Sequence, residues 1–166
     1  LPVVLATLND NAAFRLQTLE QAHITHNHPL SDAATLTLGE MTRVLLRGGG
    51  VKECRAVVNV LLAEHPKFRF TPYPGRASGY IVDTMQTVLH HFFITDSFES
   101  LVVDTVNCGE DADTTGAIAG MLGGALYGVN AIPRNWLNRL ELKVVTNIQW
   151  QVEGLLRQAG EYRSAA

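Results

Sequence analysis

The chain has 166 residues, 46% of them hydrophobic and 17% charged, and its 13 Lys and Arg against 16 Asp and Glu leave a formal charge of −3. That length is one domain's worth, and the composition buries a sizeable core, which excludes disorder as the main state. Near-neutral charge without a Lys/Arg cluster removes the basic face that phosphate neutralisation requires, so no nucleic-acid partner is expected.

Apolar residues recur at helical spacing nearly everywhere and strict alternation never persists, so the class is all-α. Asn11 is placed to cap a helix carrying Phe14, Leu16, Leu19 and Ala22. Ser31-Asp32 is placed to cap a second, with Leu38, Met41, Leu45 and Leu46 inward until Gly48-Gly49-Gly50 stops it. Val51, Cys54, Val58, Leu61 and Leu62 form a third stripe. Between His65 and Gly79, Pro66, Pro72, Pro74 and Gly75 predict a long loop, the first place to look for a binding edge.

After Tyr80, Ile81, Met85, Leu89 and Phe92 share one helical face, and His90 and His91 read as partner or surface residues without a function. Ser97 opens a helix with Phe98, Leu101, Val102 and Val106 inside. The segment from Gly116 to Ala125 keeps four glycines, each costing about 1 kcal/mol against alanine, so other backbones are expected to approach it closely. Pro133 suits the first turn of a short helix bearing Trp136, Leu137 and Leu140, and Leu142, Val145, Ile148, Val152 and Leu155 mark a last amphipathic helix. Cys54 and Cys108 are distant in sequence and read as reduced thiols of a cytosolic protein. No run reaches the ~18 apolar residues that span a bilayer.

Three segments could carry chemistry. Gly109-Glu110-Asp111-Ala112-Asp113-Thr114-Thr115 puts three acids within four residues ahead of the glycine-rich helix. A helix dipole returns only ~0.3–1 kcal/mol, too little to hold them together without a cation. Asp111, Asp113 and the Thr114 hydroxyl are hard oxygen donors suited to Mg²⁺, Mn²⁺ or Ca²⁺. An EF-hand loop starting at Asp111 fails, because its twelfth position is Leu122. A haloacid-dehalogenase-like phosphatase also uses Asp-x-Asp-x-Thr and requires a strand before Asp111, for which residues 106–110 are a poor match. In Thr25-His26-Asn27-His28, an imidazole can donate to a phosphate or ribose oxygen while the Thr25 hydroxyl fixes its tautomer. In Ser78-Gly79-Tyr80, followed by Asp83-Thr84, Gly79 admits a ligand close to the backbone and Tyr80 offers a stacking face.

Taken in order, Thr25-His26, Ser78-Gly79-Tyr80-x-x-Asp83-Thr84 and Gly109-x-Asp111-x-Asp113-Thr114, with the small-residue helix and Tyr127-Gly128 behind them, resemble the ADP-ribosylglycohydrolases over essentially the whole chain. The resemblance implies an all-α fold around a binuclear Mn²⁺ or Mg²⁺ centre at the bottom of an ADP-ribose cleft. Asp111, Asp113 and Thr114 would be metal ligands; His26, Ser78, Gly79 and Tyr80 would contact ADP-ribose. The reaction implied is hydrolysis of the N-glycosidic bond between ADP-ribose and a protein arginine, with ADP-ribosylated dinitrogenase reductase as substrate. A PII signalling protein and an ammonium channel would be partners, the channel bringing a cytoplasmic protein to the membrane surface. The family's glycine-acid segment and Thr-Asp-Asp-Thr motif, with the general acid/base Glu, do not occur here. The chain, beginning at Leu1, is therefore expected to be the C-terminal portion of one domain, needing the N-terminal portion for activity. The alternative is a non-catalytic helical module that binds ADP-ribose or a partner protein.

Overall fold

A computed structural model describes residues 1–160. Among these there is no strand, and the all-α expectation holds. The helices are α1 (Pro2–Ala6), α2 (Asn11–His23), α3 (Pro29–Leu46), α4 (Val51–Glu64), α5 (Ile81–Ile94), α6 (Phe98–Val106), α7 (Ala112–Tyr127), α8 (Arg134–Leu137) and α9 (Leu142–Gln158), with single 3₁₀ turns at Pro66–Phe68 and Val129–Ala131. None is long and apolar enough to cross a membrane.

The core forms around α5, which packs against α3, α6 and α7. Met85, Val88 and Leu89 are fully enclosed and belong to one buried cluster with Met41 of α3, Val58 of α4, Leu101 of α6 and Leu122 of α7. Each such side chain contributes roughly 1.5–3 kcal/mol by leaving water. Phe68 and Phe70 plug the long loop into the same cluster. Gln86 fixes it further, its Nε2 donating to the carbonyls of Lys67 and Arg69 at 2.9 and 2.8 Å. The stretch between His65 and Gly79 is thus an anchored loop facing outward.

Helix starts follow side-chain chemistry, with shifts from the sequence reading. Ser97 caps α6 as expected, accepting from Ser100 N at 3.1 Å. For α2 the cap is Asp10, which accepts from Ala13 N at 2.9 Å; Asn11 instead accepts from buried Arg43. Helix α3 begins before Ser31: Pro29 takes the first turn and His28 Nδ1 accepts from Leu30 N at 3.1 Å. The short α1 has no side-chain cap and gave no signal in the sequence. Pro133 precedes α8 and does not lie within its first turn, and Leu140 falls beyond that helix.

Several residues placed on apolar stripes are exposed, among them Leu16 at 60%, Leu46 at 40%, Val106 at 40% and Val51 at 39%. The buried row of α2 is Phe14, Thr18 and Ala22, spaced four apart, and Leu16 lies about 200° around the helix from Phe14. His91, expected at the surface, is 9% exposed. Of the four glycines of α7 in the expected stretch, two are tight. A Cβ on Gly116 would stand 2.7 Å from Val106 Cγ2, and one on Gly123 would stand 3.1 Å from Phe98 and Leu101. The approach is by α6 side chains, and Gly120 and Gly124 have nothing within 4 Å. Helix α9 packs against α1 and has no buried residue.

Candidate functional site

The end of α2, the start of α3, the 3₁₀ turn and the start of α5 enclose an open cleft of about 520 Å³. That volume suits a nucleotide-sized ligand. Thr25, His26 and His28 line it from the α2–α3 connection, Gly79, Tyr80 and Ile81 from the opening of α5, and Lys67 from the long loop. No Asp or Glu lines the cleft, so its polar groups are imidazoles, hydroxyls, the Gln21 amide and the Lys67 ammonium. Such a wall favours an anion carrying hydroxyls. Its apolar side, from Ala22, Leu30 and Ile81, offers room for a ring.

His26 and Tyr80, far apart in sequence, therefore face one space. His26 Nδ1 lies 2.9 Å from Thr25 Oγ1, the hydroxyl expected to fix its tautomer, leaving Nε2 for a ligand. Tyr80 is 52% exposed, with its ring available for stacking. Ser78 is elsewhere: it does not line the cleft, and its hydroxyl donates to Asp83 Oδ2 at 2.6 Å while accepting from Tyr80 N at 3.2 Å. Thr84 Oγ1 donates back to the Ser78 carbonyl at 3.2 Å. The Ser-Gly-Tyr-x-x-Asp-Thr pattern is thus a clasp that ties the loop's end to the first turn of α5 and sets Gly79 and Tyr80 at the cleft.

The acidic turn lies directly behind Gly79. Gly109 and Glu110 have φ of 75° and 49°, two left-handed residues in succession that turn the chain sharply. Asp111 N then donates to the Ala77 carbonyl at 3.0 Å. A Cβ on Gly79 would stand 3.2 Å from Asp111 Oδ2, a tight contact that would press the carboxylate back by a few tenths of an ångström. Asp111 occupies the N-cap of α7 without a capping bond from its side chain, which leaves its oxygens uncommitted. Asp113 and Thr114 are exposed on the first turn and lie outside the cleft wall. Thr115 turns inward, its hydroxyl bonding the Asp111 carbonyl at 3.0 Å.

No group of three or more His, Cys, Asp or Glu among the described residues is arranged to hold a metal ion. The turn offers two carboxylates and a hydroxyl, hard donors that fit part of a Mn²⁺ or Mg²⁺ coordination sphere. Residues 107–110 form a turn after α6, so the strand that a haloacid-dehalogenase-like phosphatase would need before Asp111 is absent. Gln21, Thr35 and Lys67 line the cleft without having been singled out by the sequence, although Lys67 belongs to the loop marked as a binding edge.

An all-helical fold with a hydroxyl- and imidazole-lined cleft backed by an Asp-x-Asp-Thr turn defines a class of protein, and the chain belongs to the ADP-ribosylglycohydrolase family, whose pattern it matches over residues 1–164. Among particular relatives, it is 57% identical over 160 residues to ADP-ribosyl-[dinitrogen reductase] glycohydrolase of Rhodospirillum rubrum, covering 96% of this chain and 54% of that protein. It is 32% identical over 127 residues to ADP-ribosylarginine hydrolase Tri1 of Serratia proteamaculans, covering 72% of this chain and 35% of that one. A solved ADP-ribosylglycohydrolase-related protein complex superposes with a TM-score of 0.80 at 30% identity, over 95% of this chain and 57% of that one. The chain spans about half the length of the Rhodospirillum rubrum relative, and a smaller share of the Serratia one.

Proposed function

We propose that this chain provides the ADP-ribose-binding wall, and part of the metal-ligand set, of an enzyme that hydrolyses the N-glycosidic bond between ADP-ribose and a protein arginine. The observation that carries this reading is the contact between cleft and acidic turn: Gly79 lines the cavity with His26 and Tyr80, and Asp111 Oδ2 abuts Gly79. The proposed protein substrate is ADP-ribosylated dinitrogenase reductase, on the strength of 57% identity to a relative named for that activity. PII and ammonium-channel partners, with the membrane association the channel would bring, rest on the family resemblance.

In this reading Tyr80 stacks on a ring of the ligand, and His26, oriented by the Thr25 hydroxyl on Nδ1, presents Nε2 to a sugar or phosphate oxygen. Lys67 offsets phosphate charge. Asp111, Asp113 and Thr114 would hold Mn²⁺ or Mg²⁺, which when bound supplies Lewis acidity and orients water near the anomeric carbon. We assign the general acid/base and the remaining ligands to the part of the relatives that this chain does not span.

Calorimetric titration of ADP-ribose with and without Mn²⁺ tests the reading. Expected are Mn²⁺-strengthened binding, at least tenfold weakening in Asp113→Ala and weakening in His26→Ala. Binding that ignores both Mn²⁺ and Asp113→Ala would identify a non-catalytic module, and no binding under either condition would remove the ADP-ribose reading. Release of ADP-ribose from modified arginine by the 166-residue chain alone would return the general acid/base to this chain.

A further inference from the structure

Helix α5 carries a histidine pair that the ADP-ribose reading leaves unused. His91 is more than nine-tenths buried, its Nε2 lies 3.2 Å from Cys108 Sγ, and its Nδ1 has no hydrogen-bond partner. Tyr73, from the long loop, brings its hydroxyl to 3.6 Å from the same sulfur and 2.9 Å from Thr87 Oγ1. Its ring stacks on His90 at 4.5 Å, with 12° between the planes. Cys108 Sγ also lies 3.5 Å from the Asp104 carbonyl, so loop, helix and the turn after α6 converge on one half-buried free thiol whose proton has two acceptors in reach. A nucleophile within reach of an imidazole nitrogen and a hydroxyl donor is the arrangement that activates a thiol. Cys54 is the contrast: it is fully enclosed, its Sγ meets only the Met41 carbonyl at 3.8 Å, and burial pushes its pKa up to about 11.

We propose that Cys108 is a site of reversible covalent modification by low-molecular-weight disulfides, with His91 accepting the thiol proton. Sγ attacks one sulfur of the disulfide, so that a new S–S bond forms as the old one breaks. The proton passes from Sγ to His91 Nε2 and on to the departing thiolate, which leaves as a thiol. The disulfide is the oxidant, and excess free thiol reverses the exchange. Burial and His90 hold the His91 imidazole below its ordinary pKa while Asp104 pulls the other way, so its nitrogen is a neutral acceptor at neutral pH. Burial keeps Tyr73 protonated, its pKa pushed up to about 12, and its hydroxyl can turn toward the sulfur as charge develops there.

The test is incubation of the 166-residue chain with oxidised glutathione at pH 7.0, where an unperturbed thiol is only about 3% thiolate, followed by intact mass and peptide mapping. The expected result is a single adduct on Cys108, formed at least tenfold faster than on the urea-unfolded chain, reversed by dithiothreitol, with Cys54 untouched. His91→Gln is expected to slow it at least tenfold, and the gentler Tyr73→Phe several-fold, each with a cooperative melt. A Cys108 rate no greater than that of the unfolded chain, or a folded His91→Gln or Tyr73→Phe chain reacting at the unsubstituted rate, overturns the proposal. Should His91→Gln fail to fold, Tyr73→Phe decides.

Discussion

Replacing Gly79 by alanine asks whether the cleft and the acidic turn act as one site. The backbone at Gly79 is outside the left-handed region, so alanine can adopt it and would gain about 0.4–1 kcal/mol by restricting the unfolded chain. Against this, the new Cβ would stand 3.2 Å from Asp111 Oδ2 where ordinary contact begins at 3.4 Å, a deficit of 3.4 − 3.2 = 0.2 Å. Asp111 makes no capping bond with its side chain and is half exposed, so its carboxylate can retreat at little cost. The terms roughly cancel, and the melting behaviour should stay within about 1 kcal/mol of the parent chain. That move takes one ligand to the edge of the ~0.2 Å range that metal–ligand distances allow, so Mn²⁺ affinity should fall by up to about tenfold, or ~1.4 kcal/mol. Calorimetric Mn²⁺ titration measures this, and the same substitution in an Asp111→Ala background should then cost almost nothing, a coupling of about 1.4 kcal/mol. Parent-like Mn²⁺ affinity in Gly79→Ala, or an equal loss with Asp111 already removed, would refute the reasoning.

Arg43 is fully enclosed, donating to Asn11 Oδ1, Glu40 Oε2 and the Leu8 carbonyl with its guanidinium over the Phe14 ring; Arg43→Met should cost about 2–4 kcal/mol in urea denaturation. Within α7, Gly116→Ala should destabilise by about 1–3 kcal/mol through overpacking against Val106, whereas Gly120→Ala, with open space around it, should stabilise by up to about 1 kcal/mol. Thermal melts that fail to separate the two would contradict this account of the helix. Burial holds His90 and His91 below the ordinary imidazole pKa, so the unfolded chain binds more protons below pH ~6.5 and stability falls as pH drops through that value. Urea midpoints at pH 7.5 and 5.5 should show this fall, and His91→Gln should diminish it; an unchanged fall would exonerate His91.

Fold class was legible because apolar spacing reports helix directly, and Ser97 announced α6 because a hydroxyl there satisfies an orphan amide. Where another group can do the same work, the signal blurs. His28 Nδ1 caps α3 three residues before Ser31, and Asp10 takes the cap of α2 while Asn11 serves Arg43. Periodicity also shows that a face is apolar without showing what covers it: the stripe on α9 marked an amphipathic helix correctly, and no residue of that helix is buried. At the site, His26, Gly79 and Tyr80 were visible as motifs, and the structure brings all three to one cleft. Ser78 was equally visible, yet its hydroxyl is bonded to Asp83. Lys67 and the His91–Cys108 pair depend on how the long loop, α5 and the turn after α6 cross in space, which local sequence does not encode.

The packing of α9 on α1 closes the chain on itself, and Asn9 Nδ2 reaches the Ala159 carbonyl across 150 positions at 3.2 Å. The contact gathers no fully buried side chain of α9. With so little of its surface enclosed, α9 is expected to open locally at a lower free energy than α5, exchanging its amide hydrogens well before that helix does.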